Sequence, residues 1–236
     1  MTDTEYYHNL AVAQTMLLSD TKPPGTFDAL YIPGLSVGMI ESGKLLQHLS
    51  EQYRRCGKPL IVFNGSDGER FSHNEGGDQD RPMGKEPGAG WSGKWYYFER
   101  LCDLGVPHSA LQITGPGYHT RHEMAQLVAA ARQYDWKLVG IVTVPWHYAS
   151  VFTMLVDAMK KKDHFFAAYA MPPAHTNWLQ QGMAGSQGLE KTTPGAETSK
   201  YLEKLAGYQK GGRACSFGEL FDYLHHREDI ARQDAA

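Results

Sequence analysis

Five short apolar runs punctuate this chain, and segments of helical periodicity stand between most of them. The runs are Phe27–Ile32, Pro59–Phe63, Ala110–Ile113, Leu138–Val144 and Phe165–Ala170. All are strand-sized, and Pro59-Leu60-Ile61-Val62-Phe63 is too continuously apolar to leave one face in water. Tyr6, Leu10, Ala13 and Leu17 open the chain at helical spacing. Leu45, Leu46, Leu49, Tyr53 and Cys56 repeat that spacing after the first run, and Gly57 stands where a helix stop is expected. One further helix ends near Leu104-Gly105, and another is predicted from Thr120 to Tyr134. Tyr148, Val151, Phe152, Leu155, Val156 and Met159 form the clearest amphipathic face, and Lys160, Lys161 and Lys162 complement the negative end of that helix. Near the C-terminus Ser216 and Glu219 read as a capping box, with Phe217, Leu220, Phe221 and Leu224 turned inward.

Strands apolar on both faces, alternating with helices, predict an α/β fold: a Rossmann-like, mostly parallel sheet of about five strands with helices on both faces. With 236 residues, 42% of them hydrophobic, the chain can bury one generous core. A single domain over 1–236 is therefore expected, with its core at 27–170, a long insertion at 64–93 and a C-terminal helical extension at 196–232.

Charge and composition exclude several function classes. The net charge is −3 with Lys and Arg scattered, so no basic stripe points to nucleic acid and no polybasic run to anionic lipid. The longest apolar segments are strand-sized, and acids stand near the N-terminus where a secretory signal carries Lys or Arg, so a cytoplasmic, membrane-free protein is expected. Cys56, Cys102 and Cys215 are read as buried thiols, neither a disulfide framework nor a zinc motif. His73, Asp78 and Asp80 lack metal-ligand spacing, so no metal site is expected. Neither Gly65-Ser66-Asp67-Gly68 nor Gly185-Ser186-Gln187-Gly188 is a nucleophile elbow, and a Walker loop is absent. A small-molecule ligand is the expected partner; the oligomeric state is left open.

In open parallel sheets ligands bind outside the carboxyl ends of the strands, so the residues leaving each strand are the candidates. The first exit is Pro33-Gly34-Leu35-Ser36, in which Gly34 and Ser36 either let a backbone approach a ligand or form a plain turn. The second, Asn64-Gly65-Ser66-Asp67-Gly68-Glu69, is either a nest of amides for an anion or an ordinary Gly-rich turn. At the third, Thr120 is expected as a helix N-cap with Glu123 as its box partner, while Arg121 and two histidines enrich the rim with ionisable groups. At the fourth, Thr143, Val144, Pro145 and Trp146 lead into His147. That histidine either packs beside Trp146 with one ring nitrogen bonded to a backbone group, or binds an anionic group or acts as general acid or base; as a base its neutral form is favoured by the helix N-terminus and its ring oriented by Glu123. The Gly- and Asp-rich insertion at 64–93 leaves directly from a strand end and reads as a lid or an inert loop; 174–196 is similar but shorter.

Gly105-Val106-Pro107, Thr120 and Val142-Thr143-x-Pro145-x-His147, in this order and spacing, resemble the YdcF/SanA/ElyC-like family of bacterial proteins over roughly Phe27 to Ala170. The resemblance implies a Rossmann-like sheet and S-adenosylmethionine as the first ligand candidate. The chain departs from the family pattern at Glu123, where the family has Asn, and at Tyr148, Ala149 and Ser150, where it has Met and then Arg. Ser92, Gly93 and Lys94 stand where an acidic residue is usual. The expectation is a cytoplasmic small-molecule enzyme, a transferase or hydrolase, that binds a nucleoside-like or anionic ligand. Its expected catalytic residues are His147 and Glu123, and its expected ligand-binding residues are Gly34, Ser36, Asn64, Gly65, Ser66, Thr120, Arg121, Thr143 and Trp146. The alternative is a non-catalytic ligand-binding or sensor protein of the same fold.

Overall fold

The computed structural model describes residues 2–20, 26–42, 44–67, 70–72, 81–84, 92–173, 183–184 and 191–233. Its centre is a five-stranded sheet, parallel throughout, built from β1 (Ala29–Ile32), β2 (Leu60–Phe63), β5 (Leu111–Ile113), β6 (Leu138–Ile141) and β7 (Ala167–Ala170) in the order β5-β2-β1-β6-β7. Two short antiparallel hairpins stand outside it: β3 (Arg70–Ser72) with β4 (Arg81–Gly84), and β8 (Met183–Ala184) with β9 (Lys191–Thr192). The helices are α1 (Asp3–Leu18), α2 (Val37–Ser42), α3 (Leu45–Arg55), α4 (Lys94–Asp103), α5 (Thr120–Tyr134), α6 (Tyr148–Lys162), α7 (Pro194–Lys210) and α8 (Phe217–Gln233).

The sheet separates two apolar clusters. One joins α1, α5, α6 and α8 to alternate residues of the strands, among them Tyr31, Val62, Val139 and Ala168. The other joins α2, α3 and α4 to Leu30, Ile32, Ile61, Phe63 and Ala167. Neighbouring residues of one strand thus enter opposite clusters, as period-two side chains require, which is why these strands are apolar at every position. The four apolar residues of the opening helix, Tyr6, Leu10, Ala13 and Leu17, are all buried, and Gly57 takes the left-handed φ of +82° after α3.

Among the described residues, the outer edge of β7 is closed by side chains and not by a further strand. Ala168 N–H donates to Tyr223 Oη at 2.7 Å, and Ala170 N–H donates to Asp20 Oδ2 at 2.9 Å. Arg227 donates to Ala168 O at 3.1 Å, pairs through its guanidinium with Asp20, and lies 4.0 Å over the Tyr169 ring. An edge satisfied in this way offers little to a pairing strand.

Several expectations need correction. The fourth run ends as strand at Ile141, because Tyr148 Oη accepts from Thr143 N–H and donates to Ile141 O, each at 3.2 Å, diverting the backbone into a short turn of 3-10 helix at Pro145–His147. The cap of α5 is His119, whose Nδ1 accepts from His122 N–H at 3.2 Å, while Thr120 is the first helical residue. Cys56 and Cys215 are buried, but Cys102 is exposed, and all three are free thiols. The expected lid residues 68–69, 73–80 and 85–91, and the bulk of the second irregular stretch at 174–182 and 185–190, lie outside the described residues. The KPPG turn lies outside them too.

Candidate functional site

Strand order places the site. From β1 the chain builds outward to β2 and β5, then returns to the other side of β1 as β6 and β7. The order therefore reverses between β1 and β6, and the crevice lies between their carboxyl ends. Gly34 leaves one of these strands; Thr143 and His147 leave the other.

Two hydrogen-bonded groups meet there, joined by the first turn of α5. Glu123 carries one of them. Its Oε1 accepts from Gly34 N–H at 3.0 Å and from Asn64 Nδ2 at 2.5 Å, so one carboxyl ties the exits of β1 and β2 together. Asn64 continues the link to the exit of β5: Nδ2 donates to Gly117 O at 2.6 Å, and Oδ1 accepts from Gly117 N–H at 2.8 Å and from Ser66 N–H at 3.1 Å. Two glycines are required by this packing. A Cβ on Gly34 would lie 2.6 Å from Glu123 Oε1, and one on Gly117 would lie 2.6 Å from Glu123 Cγ. Burial raises the Glu123 pKa to about 7, against the lowering effect of the Gly34 and Asn64 hydrogen bonds.

His147 carries the second group. Its Nε2 is 3.3 Å from Thr120 Oγ1 and its Nδ1 is 3.3 Å from Thr143 Oγ1, so each ring nitrogen faces a hydroxyl able to donate or accept. The ring packs against Tyr201 of α7 with centroids 4.9 Å apart. The residue is 2% exposed, and burial lowers its pKa to about 4. Desolvation thus keeps the imidazole neutral at physiological pH. Glu123 does not orient it: that carboxyl turns to Gly34 and Asn64, three residues from Thr120 on the same helical face. The packing partner of the ring is Tyr201 instead of the expected Trp146, which is buried in the α2–α3–α4 cluster.

The remaining candidates divide. Ser36 is buried and caps α2, its Oγ accepting from Met39 N–H at 3.3 Å. Gly65 and Ser66 are half-buried on the β2 exit, where Lys94 N–H donates to Ser66 O at 2.8 Å and Lys94 Nζ pairs with Asp67 at 2.9 Å. Arg121 is half-buried on the first turn of α5. Tyr97 is a site residue that sequence reading missed. Its hydroxyl accepts from Leu35 N–H at 3.2 Å and donates to Pro33 O at 2.9 Å, so it holds the β1 exit, with Ser92 Oγ 3.0 Å away. The only trace of it in the sequence is an apolar position on α4.

Four amides at the strand exits, one of them (Ser66) in the expected anion nest, are already used. Gly34 N–H serves Glu123, Leu35 N–H serves Tyr97, and Ser66 and Gly117 N–H serve Asn64. The strand ends are thus short of open donors at these four positions and have a carboxyl at their centre. A cavity of about 150 Å³ between α2, α3 and α4, lined by Lys44, Arg100 and Asp103 among others, lies away from the strand ends and holds none of the candidates. Among the described residues, no group of three or more His, Cys, Asp or Glu is placed to hold a metal ion, and no helix is long and apolar enough to cross a membrane. No family model, curated protein or solved structure matches the chain.

Proposed function

We infer that the chain is a cytoplasmic small-molecule enzyme that binds a nucleoside-like ligand across the carboxyl ends of β1, β2 and β6, with His147 as general base. The observation that carries this reading is the neutral imidazole suspended between the Thr120 and Thr143 hydroxyls at the reversal of strand order. With Nδ1–H donated to Thr143, the Nε2 lone pair faces Thr120 and any ligand hydroxyl that takes its place, the geometry that proton abstraction needs. The consumed amides and the central Glu123 carboxyl favour a ligand without phosphate. S-adenosylmethionine, the candidate from family resemblance, joins a nucleoside to a sulfonium cation and suits such a lining. Thr120 and Arg121, half-buried on the first turn of α5, are the groups that would hold it, and it would supply an electrophilic methyl group. Three free thiols fit a reducing compartment, and a net charge of −3 with no basic stripe favours a small molecule over nucleic acid or membrane.

A non-catalytic binder of the same fold is the second reading. It is favoured by the low basicity of the buried imidazole and by the use of Glu123 to tie loops. Thermal shift with S-adenosylmethionine, adenosine, adenosine monophosphate and glucose 6-phosphate, followed by mass spectrometry for product, separates the two. The expected result is a shift with the first two compounds and none with the phosphorylated pair, with product formed when a methyl acceptor is supplied. A shift without turnover would favour the binder, and four null results would remove the ligand assignment.

A further inference from the structure

α7 reaches the strand ends from a part of the chain more than forty residues beyond His147. Glu197, Tyr201 and Leu205 recur on it at four-residue spacing and so share one face. Glu197 and Leu205 are fully buried, and Tyr201 is half-buried. Leu205 belongs to the α1–α5–α6–α8 cluster and Tyr201 packs on the opposite one, so α7 passes across the end of the sheet from one face to the other. The element it packs against there is the Pro145–His147 turn.

Its seat is thin. α6 buries every residue from Tyr148 to Val156 and then Ala158 and Met159. Among the described side chains, α7 turns inward the carboxylate of Glu197, the phenol of Tyr201 and the fully buried Leu205, with Ala206 and Tyr208 partly buried beside them. The carboxylate of Glu197 is paired with Lys200 Nζ at 3.3 Å. Elements that cover ligand sites are drawn from the parts of a fold that open locally at lower free energy than the whole domain unfolds.

We propose that α7 is the movable wall of the cleft: Tyr201 is the positioning residue that seats the His147 imidazole between Thr120 and Thr143, and a ligand reaches that imidazole only when α7 lifts. The proposal rests on the reading of the strand ends as the ligand site. Its test contains no ligand, so either can fail alone.

The experiment measures carbethoxylation of His147 in the full chain with diethylpyrocarbonate, residue by residue by mass spectrometry. His225 and His226, exposed on α8, set the unhindered rate, and hydrogen exchange of α6 amides reports global unfolding. In the wild type, His147 should be at least tenfold less protected than the slowest α6 amides. Thr193→Ala removes the cap in which Thr193 Oγ1 accepts from Ala196 N–H at 3.2 Å. It should accelerate His147 modification about fivefold with α6 protection unchanged. Tyr201→Ala should accelerate it further, and Tyr201→Phe should restore the wild-type rate. If His147 protection equals that of the α6 amides in the wild type and in Thr193→Ala, the imidazole is exposed only by global unfolding and α7 is a fixed part of the fold. A Tyr201→Ala rate equal to wild type would remove Tyr201 as the positioning residue.

Discussion

Glu123 occupies a position where a capping glutamate was expected, and its neighbours explain why it does something else. The α5 cap is made by the His119 ring, which leaves the Glu123 carboxyl to reach Gly34 and Asn64. Three loops from distant parts of the chain thereby depend on one side chain and on the absence of a Cβ at Gly117. Gly117→Ala places a methyl 2.6 Å from Glu123 Cγ and 2.9 Å from its Cα, where the backbone cannot give way cheaply. It should lower stability by about 1–3 kcal/mol in urea denaturation. An unchanged midpoint would show that the loops tolerate separation and that the Glu123 link is dispensable.

At the scale of elements, the least obvious device is the closure of β7. Asp20 follows α1, Arg227 lies on α8, and both meet on the free edge of the last strand. Their side chains are only 6% and 12% exposed, respectively, so the pair is largely desolvated. Removing one partner leaves the other charge buried, an effect on the order of 3–5 kcal/mol, whereas removing both costs less than the sum. Arg227→Ala should therefore be strongly destabilising, and the Asp20→Ala/Arg227→Ala double variant should recover part of that loss in a double-mutant cycle. Additive losses would mean that the two side chains act on β7 independently.

Two buried groups give the whole molecule opposed responses to pH. Below about pH 6.5 the unfolded chain protonates His147, but the native state refuses that proton until about pH 4. Acidification across this interval therefore destabilises the fold. Glu123 keeps its proton in the native state up to about pH 7 and loses it near 4.5 when unfolded. Its contribution is complete below 4.5 and is lost as pH rises toward 7. Each effect is on the order of 3 kcal/mol, and between pH 4.5 and 6.5 they nearly cancel. Relative to wild type, His147→Gln should become progressively less stable as pH rises from 4.5 to 7. Glu123→Gln, which keeps the acceptor oxygen, should instead lose stability relative to wild type as pH falls from 6.5 to 4. Denaturant titrations across this range in which both variants stay parallel to wild type would show that neither group titrates as its burial requires.

By itself the sequence determined the layered α/β plan, because strands buried on both faces must be apolar throughout and helices buried on one face must repeat near every fourth residue. Those are local patterns, legible in Pro59–Phe63 and in Tyr148–Met159. It also placed His147, Thr143 and Thr120 at strand and helix ends, since Pro145 stops one element where the next begins. Only the tertiary structure decided what these residues touch. The Thr120–His147–Thr143 contact, the turn of Glu123 toward Gly34 and Asn64, and the seat of Tyr201 on the imidazole join residues from 4 to 89 positions apart. A hydrogen bond depends on distances of a few tenths of an ångström and on which partner arrives first in space, and no periodicity along the chain records either.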